Sequence, residues 1–285
     1  MTALVLSGGC LRGCAQIGVL KALAAAGVHI DLVVGSSVGA VIGALYAAGC
    51  TPAQIEHAAH TLVVGQLKRW ALSSRGLWDV SGLEALVQRH LPHDRIGAFP
   101  IRFAAVATDV ASGRALAITA GDAGRAVAAS AAMPGFFVPA MLDGRACADG
   151  CLTSPLPVRI ARALGARRVI AVNTLFDPTR APPGGLLDRL LHPSRLMVQA
   201  LAAHEAADAD VLITPDLSGL DPNNARDRQA LIDAGERAAR AALSRAAVAR
   251  PDGAPGRPRR RASHPRGSSG TPAPSRAPRS SSSVC

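Results

Sequence analysis

Aromatic side chains are scarce in this 285-residue chain: five Phe, two Trp and one Tyr make up 3% of it. Hydrophobic residues nevertheless reach 49%, so a core has to be built from Ala, Leu, Val and Ile. Lysine is nearly absent, with only Lys21 and Lys68 beside 29 Arg, a skew of composition rather than the mark of a ligand. No apolar run approaches the ~20 residues needed to span a bilayer. Met1–Leu6 carries no basic segment and runs straight into a glycine loop, so no signal peptide is expected. The reading is a cytoplasmic protein that touches membranes only peripherally. The six cysteines (Cys10, Cys14, Cys50, Cys147, Cys151, Cys285) then read as reduced thiols. Cys10/Cys14 and Cys147/Cys151 are spaced i, i+4, which matches no common zinc pattern, and no histidine accompanies them. No metal is expected, and Cys14 and Cys147 read as small core residues.

Charge is unevenly placed. The net charge is +11, but from Pro251 onward seven Arg stand against the single acid Asp252, so the last stretch carries +6 of it. Pro, Ser, Gly and Arg dominate there, too little apolar surface to offset the entropy of ordering. Residues 1–248 are therefore read as the folded domain and 249–285 as a disordered tail. A basic tail supplies no folded face for nucleic acid, so no specific nucleic-acid partner is expected. Attraction to an anionic membrane surface is the simpler use of Arg259-Arg260-Arg261.

Apolar runs at Ala3–Leu6, Ile30–Val34, Ile101–Asp109, Ala115–Thr119, Arg145–Ala148, Val169–Asn173 and Val211–Thr214 read as strands. Helical spacing covers Arg12–Ala26, Val38–Ala48, Ala123–Met133, Leu156–Leu164, Leu186–Ala207 and Ala225–Ala249. Thr51-Pro52-Ala53-Gln54 is a capping box with Pro at the first helical position. Strands that alternate with helices predict a three-layer α/β/α fold with a mainly parallel central sheet. From His57 to Leu91 the pattern is irregular. That stretch holds both Trp70 and Trp78, and fits ordinary core or an interfacial cap equally well.

Two motifs carry chemistry. Gly8-Gly9-Cys10-Leu11-Arg12-Gly13 links the first strand to the first helix and gathers backbone N–H groups at a helix N-terminus, where negative charge is stabilised. Gly35-Ser36-Ser37-Val38-Gly39 follows the second strand. It is a G-x-S-x-G turn that lifts the Ser37 hydroxyl above the end of a sheet, with Ser36 turned inward. An anion-stabilising loop beside an exposed serine points to acyl transfer. Asp109, Asp143 and Asp149 are each candidates for a base, and an ordinary Asp, with a pKa near ~3.9, needs burial to serve as one.

These segments resemble the patatin-like phospholipase family, whose pattern is a glycine-rich oxyanion loop, a G-x-S-x-G turn and a later Asp-Gly motif. Here Asp149-Gly150-Cys151 stands third in that order. Ala107-Thr108-Asp109 with Ser112-Gly113, and Ser130-Ala131-Ala132-Met133-Pro134-Gly135-Phe136-Phe137, are also similar to bacterial members. The resemblance implies a lipid acyl hydrolase with a Ser37–Asp149 dyad, an acyl-enzyme intermediate, and neither metal nor organic cofactor. It further implies that Gly8–Gly13 shape the oxyanion loop, with Gly9 and Cys10 as N–H donors and Arg12 bracing the backbone. The chain departs from the pattern at Cys10, Gln16, Cys151 and Thr153-Ser154.

Two other readings stay open on the residues alone. One is a Ser–Asp–His triad that uses His192 or His204. The other is a nucleotide- or nucleic-acid-binding α/β protein, with Asp31 lying 18 residues past Gly13 as in a dinucleotide fold.

Overall fold

The computed structural model describes residues 1–61, 69–73, 76–175, 185–221 and 224–248. The expected tail lies outside them, as does the Trp70 side chain. A central sheet runs through β1 (Thr2–Leu6), β2 (Leu32–Ser36), β5 (Arg102–Asp109), β6 (Arg114–Ile118), β7 (Ala140–Leu142), β8 (Arg145–Asp149), β9 (Arg168–Val172) and β10 (Val211–Ile213). A separate hairpin joins β3 (Arg69–Ser73) and β4 (Gly76–Asp79). The helices are α1 (Cys14–Ala25), α2 (Val38–Ala47), α3 (Pro52–Thr61), α4 (Ser81–His90), α5 (Ala123–Ser130), α6 (Val158–Ala163), α7 (Leu186–Ala206) and α8 (Arg228–Val248).

The sheet order is β10-β9-β1-β2-β5-β8-β7, with β6 also on β5. Pairs from β10 through β5 are parallel, and those of β6, β7 and β8 are antiparallel. Parallel strands are buried on both faces, which explains the unbroken apolar runs of β1 and β2. Side chains alternate along them: Leu4, Leu6 and Val33 face the layer of α1–α5 and α8, while Ala3, Val5, Leu32 and Val34 face α6 and α7. This is the expected three-layer α/β/α architecture.

Local differences have local causes. The expected first helix splits into a 3-10 turn (Cys10–Gly13) and α1. β2 begins two residues late, because Asp31 is occupied in docking the strand entry: its N–H reaches the Thr2 carbonyl and its carboxylate accepts the Thr2 N–H. α5 stops at Ser130, where the chain turns toward Pro134-Gly135. The short strand β7 and helix α4 were not anticipated. β7 turns into β8 through Asp143 (φ 48°) and Gly144 (φ 78°), a two-residue turn with both positions left-handed. The capping box is formed: Gln54 N–H donates to Thr51 Oγ1, and Thr51 N–H to Gln54 Oε1. Among the described residues no helix is long and apolar enough to cross a membrane.

Trp78 lies in the described part of the 57–91 stretch. Its ring is half-buried against Phe136 and Phe137, with centroids at 5.7 and 6.0 Å, and its backbone bonds Phe136 and Val138. Trp78 therefore clasps the Met133–Val138 segment.

Candidate active site

The tight turn between β2 and α2 puts Ser37 at φ 54°, ψ −125°, where a residue with a Cβ is strained by about 1–3 kcal/mol. Such strain persists only where the surroundings hold it. Two glycines permit the turn sterically: a Cβ at Gly35 would lie 2.3 Å from the Gly39 carbonyl oxygen, and one at Gly39 would lie 2.3 Å from that of Leu6. The Ser37 N–H donates to Ser130 Oγ at 2.9 Å, and Ser130 Oγ–H donates to the Val106 carbonyl at 2.6 Å. Ser36 points the other way, fully buried, with its hydroxyl on the Ser154 carbonyl.

Ser37 Oγ donates to Asp149 Oδ2 at 2.7 Å, although 112 residues separate them. Both are buried, at 7% and 3% exposure. Asp149 ends β8 and caps the 3-10 turn Gly150–Leu152, so its Oδ1 accepts the Cys151 N–H at 2.8 Å while Oδ2 faces the serine. Its backbone is pinned on both sides: N–H to the Ala132 carbonyl at 2.9 Å, and carbonyl to Thr108 Oγ1 at 2.9 Å. Thr108 Oγ1 also contacts Thr153 Oγ1 at 2.8 Å. Burial pushes the Asp149 carboxyl above its ordinary range, against the opposing pull of the Cys151 N–H and Ser37 hydroxyl. A carboxylate made more basic in this way can take the serine proton directly.

Among the described residues, neither rival carboxylate bonds Ser37. Asp109 accepts from Ala111 N–H, Ser112 N–H and the Arg145 guanidinium, and these partners hold its carboxyl below the usual range. Asp143 sits in the β7–β8 turn. His204 lies against Arg159, its Nε2 2.9 Å from the guanidinium. Ser37 meets Asp149 without an intervening histidine.

In the loop, Gly8 N–H donates to the Pro155 carbonyl at 3.1 Å, so it is already occupied. Among the described residues, the Gly9 and Cys10 N–H groups have no hydrogen-bond partner, so both are available as anion donors. Gly9 takes φ 143°, with the Thr174 carbonyl oxygen 2.7 Å from where a Cβ would sit. Cys10 adopts φ 50°, a positive value that side chains rarely take, so its Cβ is carried at a cost that glycine would avoid. The loop carbonyls are braced by residues the motifs do not mark. Gln16 Nε2 donates to the Ser7 carbonyl at 2.7 Å and to Thr174 Oγ1 at 3.1 Å, and Ser7 Oγ and Thr174 Oγ1 both donate to the Gly8 carbonyl. Leu11 and Arg12 complete the 3-10 turn, and Gly13 packs beneath Val38, whose methyl groups would lie 2.6 and 2.7 Å from a Cβ there. Gly150 is similarly crowded by the Val106 carbonyl oxygen.

Cys151 lies over this loop, its Sγ 2.1 Å from where a Gly8 Cβ would be. Burial and the nearby Asp149 push its thiol well above the ordinary range, so it is held neutral. All five described cysteines are free thiols, and Cys285 lies outside the described residues.

Ser130, Ala132 and Thr108 were visible only as family-like segments without a role. Their role is to hold the backbone of Ser37 and Asp149. Gln16 was marked only as a departure from the family pattern, and Thr174 and Glu205 carried no signal, since nothing in their neighbourhood along the chain marks them.

Comparison with known proteins identifies the family and the fold. The family model described as "Patatin-like phospholipase" matches residues 4–162, more than half of the chain, with Ser37 and Asp149 inside the match. An "Uncharacterized NTE family protein" of Mycobacterium tuberculosis is 35% identical over 174 residues, covering 60% of this chain and 48% of that one. Human "Patatin-like phospholipase domain-containing protein 6" is 34% identical over 179 residues, 60% of this chain and 13% of that one. The chain thus matches about half or less of the length of these relatives. Among solved structures, VipD from Legionella pneumophila shares the fold, with a TM-score of 0.59 at 13% identity over 86% of this chain and 67% of that one.

Proposed function

Because the chain belongs to the patatin-like phospholipase family, we propose that it hydrolyses the carboxylic esters of lipids through a Ser37–Asp149 dyad. The observation that carries this reading is the 2.7 Å bond from Ser37 Oγ to a buried, basic Asp149. Asp149 takes the Ser37 proton as Oγ attacks the ester carbonyl carbon. The carbonyl oxygen becomes an oxyanion beside the Gly9 and Cys10 N–H groups. Collapse breaks the bond to the alcohol, which leaves with the proton from Asp149, and the acyl group stays on Ser37. Water then attacks the acyl-enzyme, gives its proton to Asp149 and releases the fatty acid as Asp149 returns the proton to Ser37.

The chemistry draws on side chains and backbone alone. Nothing on the site favours the histidine triad. The nucleotide reading is weakened by Asp31, which is engaged at the start of β2 rather than poised at a strand end. The test is incubation with a mixed lipid extract and identification of released fatty acids. Wild type should release them, and Ser37→Ala and Asp149→Asn should not. Equal release by a folded Ser37→Ala variant would overturn the assignment.

A further inference from the structure

Glu205 is a buried carboxylate that the dyad mechanism does not use. It projects from the last turn of α7, is 4% exposed, and accepts from two successive points of the loop before α6. One oxygen takes the Ser154 hydroxyl, and the other takes the Leu156 N–H at 3.0 Å. The residue between these anchors is Pro155, whose carbonyl holds the Gly8 N–H of the oxyanion loop. The Ser154 carbonyl in turn holds Ser36 Oγ, inside the nucleophile turn, at 2.6 Å. Ser154 N–H reaches back to the Gly150 carbonyl at 2.8 Å, one residue past Asp149. One side chain from the opposite layer thereby fixes the short segment to which the anion loop, the serine turn and the aspartate turn are all tied.

We propose that Glu205 is a positioning residue for the hydrolytic site, clamping Ser154–Leu156 so that the Gly8–Gly13 loop and the Ser37 turn keep a common register. This rests on the hydrolase reading above. An ordinary buried carboxylate would be expensive to keep unless it were bonded. Here both oxygens are used, and both bonds land on the site's own backbone support rather than on a distant core element.

The clamp is also sensitive to pH. Burial raises the Glu205 carboxyl to about 7, against the pull of Ser154, Leu156 N–H and Arg159 of α6, with Asp208 just beyond α7 adding to the rise. The sheet face on this side carries Ala3, Val5, Leu32 and Val34 in its apolar packing, and Ser36, whose hydroxyl bonds the Ser154 carbonyl. Ionisation charges a buried group, so the stability tied to Glu205 is lost as pH rises through about 7; within the folded site the ionised form nevertheless attracts both donors more strongly, and holds the segment more firmly above neutrality.

The experiment uses the full chain, with turnover of a p-nitrophenyl ester per titratable active site and hydrogen exchange of the peptide containing Gly8. Glu205→Ala should lower kcat at least tenfold at pH 8, leave KM within twofold, and speed exchange at Gly8. Glu205→Gln keeps an acceptor for Leu156 and a donor for Ser154. It should recover most of kcat and lose the component of the wild-type pH profile that rises near neutrality. If Glu205→Ala does not fold, Ser154→Ala removes the clamped hydroxyl and should show the same two changes in milder form. Wild-type kcat and wild-type exchange in a folded Glu205→Ala or Ser154→Ala variant would overturn the proposal. Should the wild-type chain hydrolyse no ester, the hydrolase reading fails on its own. Exchange at Gly8 then decides whether the clamp exists.

Discussion

Asp149 is held between two opposing demands. Its burial is what makes it basic enough to act, and the same burial penalises the folded protein whenever the carboxylate is charged. Because the folded pKa lies above the unfolded one, the stability tied to this group is fully present below the unfolded value, near ~3.9, and is lost as pH rises through the folded value. Asp149→Asn should therefore melt higher than wild type at pH 7, with the gap closing on acidification toward pH 4. Each kcal/mol of relieved penalty is worth about 2–4 °C in a domain of this size. Turnover should fall about 10²–10⁴-fold, the usual worth of a general base. Calorimetry across pH checks the first part, and a lower melting temperature at neutral pH would contradict it. Cys10 is one of the described residues where a side chain sits on positive-φ backbone. Left-handed backbone at φ 50° strains a side chain by roughly 1–2 kcal/mol, while glycine loses about 0.4–1 kcal/mol through its freer unfolded state. Cys10→Gly should thus raise stability by no more than about 1.6 kcal/mol and keep or increase turnover. Denaturant titration and ester kinetics measure both, and a tenfold loss of turnover would give Cys10 a positive role.

At the scale of elements, the serine turn works because α2 lies almost in contact with β1. A Cβ on Gly39 would meet the carbonyl oxygens of Leu6 and Ser7 at 2.3 and 2.5 Å, and neither is free to move without distorting the strand that leads into the Gly8 loop. Gly39→Ala should destabilise the fold by more than about 2 kcal/mol and abolish turnover together; a stable, active variant would show that α2 can shift. The strand–turn–helix around Ser37 was legible in sequence because all three parts come from one short stretch. The corresponding approach of α1 and α8 was not. A Cβ on Gly18 would strike the Ile232 carbonyl, and one on Gly235 the Ala15 carbonyl, across more than 200 residues. The strands β5, β6 and β8 were likewise readable from local pattern, whereas Asp149 was singled out from Asp109 and Asp143 only through the family resemblance. β7 and α4 were missed: three residues are too few to show a period, and α4 lies in the stretch where mixed apolar and charged residues obscured one. The clamp by Glu205 was unreadable for the same reason as the α1–α8 contact, since its meaning comes entirely from Ser154 and Leu156, about fifty residues away.

For the molecule as a whole, the basic residues from Pro251 onward are the remaining unassigned feature. Their composition offers no core contacts, yet seven Arg against one acid will be drawn to an anionic surface. Removing residues 251–285 should leave melting temperature and soluble-ester turnover unchanged and weaken co-sedimentation with anionic vesicles. That binding should fade as salt shortens the Debye length from ~10 Å at 0.1 M to ~3 Å at 1 M. Equal, salt-insensitive binding by both forms would assign any membrane contact to residues 1–250. The central claim concerns the folded part alone: Ser37 is a nucleophile activated by Asp149 without histidine. An alkyl fluorophosphonate, which traps an activated serine, followed by intact mass and peptide mapping, tests it most directly. The account predicts one covalent adduct on the peptide carrying Ser37, absent in Ser37→Ala and formed at least 100-fold more slowly in Asp149→Asn. An adduct on another residue, or undiminished labelling of a folded Ser37→Ala variant, would contradict it.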